Sequence, residues 1–276
     1  MNIFNYGRIY SKLSPNQIKS LKLSSSSNEK LLSLSKIYFF LFGYPDVAGQ
    51  RKYMIIEKLL KLKKSETILD AGTGNGIYLQ EFGNRYLTSG VGIDARVERI
   101  KAAEKINKYL KGNNVFITST LEKVNLGHKR FDKIICLEVL EHIVNDIDVL
   151  KKLTKSLDKG GLLIISVPMK GTGLTKKQQE DPNFKPEKYG HVRSGYDERE
   201  LRKLAINAGL KVVSIQRYFF FVSKYAVKFQ QLLYKKGFII LNLIFSPLLL
   251  IISGLDSIFK FSPRGYIAVF KKNSDL

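Results

Sequence analysis

The chain has 276 residues, of which 44% are hydrophobic, and carries 46 Lys and Arg residues against 24 Asp and Glu residues, a net charge of +22. This length and apolar content suffice for one large α/β core with an appended region, and the sequence contains no internal repeat. The single cysteine, Cys136, lies in an apolar run, and no basic region followed by an apolar stretch opens the sequence. These features argue against a disulfide scaffold or a signal peptide, and we expect a reduced, cytoplasmic setting.

The positive charge calls for an anionic partner or an anionic surface, unless it reflects a lysine-rich proteome. There are 35 lysines and only 11 arginines. Base readout in nucleic acids favours the bidentate arginine fork, whereas lysines attract negative surfaces as point charges. The excess is concentrated on both flanks of the chain, with 12 basic and 3 acidic residues in 1–64 and 8 basic and 2 acidic residues in 218–276. We therefore expect an anionic membrane surface more than nucleic acid.

Residues 1–46 form an N-terminal extension. Residues 1–35 are polar, with a serine run at 24–27, and their apolar residues are sparse and irregular, so we expect this part to be flexible or loosely docked. Residues 37–44 are aromatic. After Pro45, an apolar stripe predicts a helix over 47–62.

The following segment alternates apolar runs with helical periodicity. The predicted strands are 67–70, 90–93, 114–118, 131–137, 161–167, 210–217 and 265–271. The predicted helices between them are 75–83, 97–110, 145–157 and 198–208. This order predicts an α/β fold with a doubly wound, Rossmann-like parallel sheet.

A glycine-rich junction joins the first strand to its helix. Gly72, Gly74 and Gly76 let backbone N–H groups approach a ligand at the positive end of the helix dipole. The spacing is G-x-G-x-G, and Ile77 stands where a dinucleotide fingerprint needs its third glycine, which argues against NAD. Asp94 ends the second strand 18 residues beyond Gly76, where a ribose-binding carboxylate is expected; a purely capping role on helix 97–110 is the alternative.

The run Asp70-Ala-Gly72-Thr73-Gly74-Asn-Gly76 resembles motif I of the class I S-adenosylmethionine (SAM) dependent methyltransferases. The resemblance implies a seven-stranded sheet with an antiparallel last strand beside the sixth, and it covers 47–217 and 264–271. It also implies SAM as the methyl donor. The implied cofactor-binding residues are Asp70, Gly72, Thr73, Gly74, Gly76, Asp94, Ala95, Thr120, Leu121 and Cys136. Thr120 stands where an acidic residue is common in the family.

Two further stretches resemble family motifs that face the methyl acceptor. Phe131 to His142 resembles motif IV, and Glu138 and His142 are implied as catalytic residues. In some relatives this cluster is associated with a divalent metal, but a metal-free site is commoner, and we assign no metal ligands. Before the helix at 198–208, His191 is the first candidate general base, with Arg193 and Tyr196 as acceptor-binding residues. The alternative is that His191 and Arg193 only hold the loop in place.

One segment departs from the family pattern. Between strands six and seven, residues 218–263 form an insertion that is almost wholly apolar over 237–254 and is flanked by lysines. A single membrane crossing would separate the last strand from its sheet, so the insertion must return to its starting side. Pro247 is expected to kink or break the helix, which favours a re-entrant or interfacial hairpin. A protein-packed cap or dimer interface is the alternative.

Together these features predict a membrane-associated SAM-dependent methyltransferase. We expect it to act, preferably at oxygen, on a hydrophobic or membrane-embedded acceptor such as a lipid, a lipid-linked glycan or an isoprenoid or quinone-type molecule. The alternatives are a methyltransferase for nucleic acid or a soluble small molecule, and a SAM-binding membrane adaptor without activity. The sequence leaves the oligomeric state open.

Overall fold

The computed structural model describes residues 4–23, 28–172 and 192–272. The strands are β1 (Thr67–Ala71), β2 (Ser89–Asp94), β3 (Val115–Thr118), β4 (Phe131–Leu137), β5 (Leu157–Pro168), β6 (Leu210–Tyr218) and β7 (Gly265–Lys272). The helices are α1 (Pro15–Ser20), α2 (Glu29–Phe42), α3 (Val47–Leu60), α4 (Ile77–Tyr86), α5 (Val97–Leu110), α6 (Asp146–Ser156), α7 (Glu198–Asn207), α8 (Phe221–Lys235) and α9 (Ile239–Ser253). Short 3-10 turns span Arg8–Lys12, Leu140–His142 and Gly254–Ser257.

The strands form one sheet in the order β3-β2-β1-β4-β5-β7-β6. β1 to β5 pair in parallel, whereas β7 is antiparallel to both β5 and β6. β6 therefore runs in the same direction as β1, so both strands have their carboxyl ends at one edge of the sheet. The predicted doubly wound, seven-stranded sheet with an antiparallel last strand is confirmed.

Alternating side chains of the central strands fill two cores on opposite faces of the sheet. Ile135 and Ile164 belong to the core covered by α3, α4 and α5. Ile134 and Ile165, each one residue away, belong to the core covered by α6 and α7. Both faces are covered, which explains why these strands read as continuous apolar runs.

The N-terminal segment packs against the core, so the expectation that residues 1–35 are flexible or loosely docked is wrong for the described part. Leu13 and Ile18 have no exposed surface and share a cluster with Ile77 of α4. The backbone N–H of Ile9 donates to Oε1 of the buried Glu81 at 2.7 Å. The serine run at 24–27 lies outside the described residues.

The insertion folds as a pair of packed helices, α8 and α9, closed at its base by the 3-10 turn; we call residues 221–257 the apolar hairpin. Asp256 of the turn accepts hydrogen bonds from the N–H groups of Phe220, Val222 and Ser223 at 3.0 to 3.1 Å, which caps the start of α8. The N–H of Phe221 donates to the carbonyl of Phe261 at 3.1 Å. The chain therefore enters and leaves the hairpin side by side.

Pro247 does not break the helix, because α9 (Ile239–Ser253) runs through the proline. The kink that the sequence analysis names as the other outcome stays a prediction. A proline has no N–H, so the carbonyl four residues earlier, that of Leu243, loses its helical donor. The hydroxyl of Tyr38 on α2 donates to this carbonyl at 2.9 Å. The N-terminal extension thus supplies the hydrogen bond that the proline removes.

Candidate active site

The glycine loop is fixed between β1 and β2. The N–H groups of Gly72 and Thr73 both donate to the carbonyl of Ile93 at 2.8 Å. Gly72 has φ +89°, and a Cβ there would lie 2.2 Å from Cγ2 of Val139. Position 72 therefore requires glycine for its backbone conformation and for the close approach of the segment after β4.

Asp70 ends β1 with its carboxylate buried beneath this loop. Its Oδ2 accepts a hydrogen bond from Oγ1 of Thr73 at 2.7 Å. Burial raises the pKa of the Asp70 carboxyl from 3.8 to about 7, the Thr73 hydrogen bond opposes the shift, and the charge of Asp94 adds to it. A buried carboxylate of this kind gains from a cationic ligand group, because a nearby positive charge favours its ionised form.

Asp94 connects the end of β2 to the same loop. Its Oδ2 accepts from the N–H of Gly74 at 2.9 Å, and its Oδ1 accepts from the N–H of Arg96 at 2.9 Å. Helix α5 has Arg96 as its N-cap residue, with no side-chain cap hydrogen bond. Asp94 is therefore not the N-cap residue of α5, although its Oδ1 bonds the backbone directly before that helix.

The loop geometry fits SAM. A Cβ on Gly74 would meet Nη1 of Arg99 at 3.4 Å as its only neighbour within 4 Å, so the space beside Gly74 is open for a ligand. Asp70 and Asp94 stand at the carboxyl ends of the adjacent strands β1 and β2, and each bonds the glycine loop. Two carboxylates at this loop suit a ligand that carries an ammonium group and ribose hydroxyls.

The remaining predicted cofactor residues divide into two groups. Ala95 and Thr120 are exposed, and they follow the ends of β2 and β3 respectively. Leu121 and Cys136 are buried in the core beneath α6 and α7. Cys136 has no exposed surface, and burial raises the pKa of its thiol, so its side chain belongs to the core.

Glu138, directly after β4, forms the centre of a polar cluster. Its Oε1 accepts hydrogen bonds from Oγ of Ser166 on β5 and from the hydroxyl of Tyr218 on β6, both at 2.8 Å. Nζ of Lys52 on α3 lies 3.2 Å from the same oxygen. Burial by itself would raise the pKa of Glu138, but the charge of Lys52 and the two hydroxyl groups lower it below its ordinary value of 4.5. Glu138 is therefore ionised at neutral pH.

Lys52, Ser166 and Tyr218 are site residues that the sequence reasoning missed. The ring of Tyr218 crosses from the edge strand towards β4, and a Cβ on Gly265 would lie 2.4 Å from its Cε1. Gly265, the first residue of the intervening strand β7, thus leaves the space through which Tyr218 reaches Glu138. Ser166 and Tyr218 could have been identified by their position in the sequence, because both occur near the carboxyl ends of predicted strands.

The other acidic and imidazole groups of the motif after β4 differ in exposure. Glu141 is buried, its Oε2 has no hydrogen-bond partner among the described residues, and burial raises the pKa of its carboxyl to about 8. His142, predicted as catalytic, is exposed. Within the described ranges, no group of three or more His, Cys, Asp or Glu side chains is arranged to hold a metal ion.

Arg193 and Tyr196 fix the loop that follows β4. Arg193 is paired with Asp146, and its Nη2 donates to the carbonyls of Ile143 at 2.6 Å and Val144 at 3.0 Å. The buried hydroxyl of Tyr196 donates to Oδ2 of the same Asp146 at 2.8 Å. These contacts match the loop-pinning alternative for Arg193, and Tyr196 shares its partner Asp146. His191, the predicted general base, lies outside the described residues.

Comparison with known proteins gives three findings. A family model described as "Methyltransferase domain" matches residues 48–215. A tRNA U34 carboxymethyltransferase of Sulfurovum sp. is 30% identical over 129 residues, 47% of this chain and 42% of that protein. A ubiquinone biosynthesis O-methyltransferase of Rickettsia akari is 34% identical over 120 residues, 41% of this chain and 45% of that protein. The matches thus span less than half the length of these two relatives.

Solved structures share the fold at low sequence identity. Phosphoethanolamine N-methyltransferase 2 of Haemonchus contortus, in complex with SAM, aligns with a TM-score of 0.61 and 14% identity. The alignment covers 86% of this chain and 56% of that one.

Proposed function

Because the chain belongs to the methyltransferase domain family and is a SAM-dependent methyltransferase, we propose that its acceptor is a hydrophobic or membrane-embedded molecule methylated at oxygen. The observation that carries this proposal is the position of the apolar hairpin. It leaves β6 at the carboxyl edge of the sheet, the edge that also holds the glycine loop. An acceptor delivered along the hairpin would arrive on the side of the donor.

The hairpin exposes large apolar side chains along one side. On α9, Ile240, Ile244 and Ile251 are 74%, 62% and 57% exposed, and their spacing places them on one helix face. The neighbouring helix α2 adds Leu34 and Ile37, which are 57% and 56% exposed. Several large apolar side chains exposed on one helix face favour a membrane or protein contact.

Charge and topology favour a membrane surface that the hairpin enters without crossing. No acidic residue occurs between Phe221 and Leu255, whereas α8 carries Lys224, Lys228 and Lys235. Within the described ranges, Ile239–Ser257 is long and apolar enough, by length and composition, to span a bilayer. Of its apolar stretch, 28% is buried inside the protein. Because β7 pairs with β5 and β6 after the hairpin, both hairpin ends stay on one side. We propose monotopic attachment to an anionic, cytoplasm-facing membrane.

In this proposal, the chain's residues bind and orient the reactants. SAM supplies an electrophilic methyl group on a positively charged sulfur, and Asp70 and Asp94 hold the two ends of the donor. Glu138 is held in place by Lys52 and Tyr218. Its lowered pKa makes it a weak base at neutral pH, so we assign it to orienting the acceptor rather than to taking up the acceptor's proton. His191 remains the predicted base.

A second candidate is methylation of RNA. It is favoured by the relatives named as tRNA U34 carboxymethyltransferases and by the net charge of +22. Binding to RNA through lysines would weaken steeply with salt, because it depends on counterion release from phosphates.

A transfer assay separates the two candidates. Whole-cell extract is incubated with radiolabelled SAM and the full chain, and label is counted in lipid, nucleic-acid, protein and soluble fractions. We expect label in the lipid fraction, its loss in Asp94→Ala, and its retention in the control Glu104→Ala, which removes an exposed acid on α5. Label in an RNase-sensitive fraction would replace the lipid proposal by the RNA candidate, and label confined to soluble molecules would contradict both.

Membrane attachment is tested separately by vesicle flotation. Replacing Ile240, Ile244 and Ile251 by serine removes roughly 2 kcal/mol of apolar burial for each side chain that enters the bilayer. The control replaces Val144, Ile206 and Val213 by serine; these are 71%, 70% and 55% exposed but lie outside the hairpin. We expect only the hairpin variant to stop floating with anionic vesicles. Equal flotation of both variants would refute hairpin insertion.

A further inference from the structure

A cavity of about 500 Å³ lies between α3 and the base of the apolar hairpin. Its lining includes Arg51, Arg217, Tyr218, Phe220, Ser223 and Lys260. Tyr218 is the connection to the candidate active site, because it belongs to the lining of this cavity and its hydroxyl donates to Glu138. One residue is thus shared by the cavity and the polar cluster around Glu138.

The lining carries excess positive charge. Arg51, Arg217 and Lys260 form no ion pair with any described residue, and Arg51 is half-buried. Asp256 is the one acidic residue of the lining, and its two oxygens already accept three backbone N–H groups at the start of α8. Its charge acts on the half-buried Arg51, and the exposed Arg217 and Lys260 have no other acidic side chain in the lining. A half-buried guanidinium without a bound carboxylate is stabilised by an incoming anion.

Ser223 gives an independent indication of a missing partner. It has no exposed surface, lines the cavity, and its Oγ has no hydrogen-bond partner among the described residues. Buried hydroxyl groups are normally hydrogen-bonded, and an unpaired one is a candidate contact for a ligand or an ordered water.

We propose that this cavity binds a phosphate ester group of the methyl acceptor. Arg51 and Arg217 offer planar forks that match phosphate oxygens, Lys260 adds a point charge at the exposed side, and Ser223 adds a hydroxyl donor. The apolar part of such an acceptor would lie against the hairpin, and its reacting group would lie on the Glu138 side of Tyr218. The inference rests on the proposed function for the identity of the ligand as acceptor, but the anion site itself does not depend on it.

The test is binding without methyl transfer, using the full chain. The first probe is glycerol 3-phosphate in isothermal titration, and the second is flotation with phosphatidylcholine vesicles with or without phosphatidic acid. The test variant is Arg51→Gln with Arg217→Gln. The control, Arg199→Gln with Lys211→Gln, removes the same charge from exposed positions outside the cavity. We expect the test variant alone to weaken binding by about tenfold or more, since each lost contact is charge-assisted.

Ser223→Ala checks the result without removing charge. The hydroxyl has no partner within the described part of the protein, so its loss should leave the unfolding midpoint unchanged. The same substitution should weaken the binding of glycerol 3-phosphate. Loss of glycerol 3-phosphate binding in both cavity variants supports a site for phosphate esters in general, and a loss seen only with phosphatidic acid vesicles supports a lipid source. Equal effects of the test and control variants, or no binding of either probe by the unmodified chain, would overturn the proposal.

The outcome is separable from that of the transfer assay. Label in the lipid fraction with no effect of the cavity variants on binding or transfer would leave the proposed function standing and remove the phosphate site. Phosphate binding that depends on Arg51 and Arg217, without label in the lipid fraction, would support the phosphate site and contradict the proposed lipid acceptor.

Discussion

The hydrogen bond from Tyr38 to the carbonyl of Leu243 should contribute to the free energy of unfolding because Pro247 has removed the helical donor for this carbonyl. Tyr38→Phe deletes only the hydroxyl that reaches this carbonyl at 2.9 Å, across 205 residues of sequence. The carbonyl is then left without a donor in a partly buried position. We expect the free energy of unfolding to fall by about 1 to 3 kcal/mol, the penalty of an unsatisfied buried polar group.

The background in which the substitution is made changes this magnitude. In Pro247→Ala, the backbone gains an N–H at position 247 that can donate to Leu243 within the helix. Tyr38→Phe should then have little effect, so the coupling between the two substitutions should be about 1 to 2 kcal/mol. For a protein of this size, each kcal/mol corresponds to roughly 2 to 4 °C in the unfolding midpoint.

Urea and thermal unfolding of the four proteins of this cycle provide the measurement. Tyr225→Phe is the matched control, because Tyr225 is 49% exposed on α8, and it should change the free energy of unfolding by no more than about 0.5 kcal/mol. If Tyr38→Phe destabilises the protein equally with proline or alanine at position 247, the hydroxyl does not compensate for the proline and the explanation fails.

Three further predictions concern the loop, a buried acid and the N-terminal segment. Gly72→Ala should have a lower urea midpoint than Gly74→Ala. The new Cβ at position 72 would lie 2.2 Å from Val139, whereas the one at position 74 would lie 3.4 Å from the flexible side chain of Arg99. Urea midpoints in the reverse order would contradict the loop geometry. The folded state raises the pKa of Asp70 from 3.8 to about 7, so it binds this proton more tightly than the unfolded chain. Stability relative to Asp70→Asn should therefore fall as pH rises across that interval, and a pH-independent difference would refute the burial argument. Leu13→Ala should lower the free energy of unfolding by about 2 to 5 kcal/mol, whereas a loosely attached segment would give no change by the same assay.

The parts of the fold that could be predicted from sequence are those fixed by local rules. Strand and helix periodicity located the sheet, and the turn chemistry of Gly72, Gly74 and Gly76 located the donor loop. The resemblance to motif I identified Asp70, and the spacing after Gly76 identified Asp94, before their hydrogen bonds to Thr73 and Gly74 were known. Each of these signals acts within about 20 residues.

The parts that escaped prediction depend on contacts between distant segments. The Glu138 cluster joins Lys52, Ser166 and Tyr218 from three different elements, and no local spacing relates them. The helix continues through Pro247 because the hydrogen-bond donor that the proline removes is replaced from α2. The N-terminal segment lacked periodicity because its buried residues sit partly on a 3-10 turn, yet Leu13 has no exposed surface.

The position of β7 between β5 and β6 also sets an order of events during synthesis. Within the described sheet, β6 is hydrogen-bonded to β7 alone, so it has no strand partner until residues 265–272 have left the ribosome. The apolar hairpin is made before those residues and is therefore present while the sheet is still open. A nascent chain that exposes both an unpaired strand edge and an apolar hairpin is prone to aggregate. If the proposed membrane attachment is correct, early contact of the hairpin with a membrane would cover its apolar side chains during this interval, before the sheet is complete.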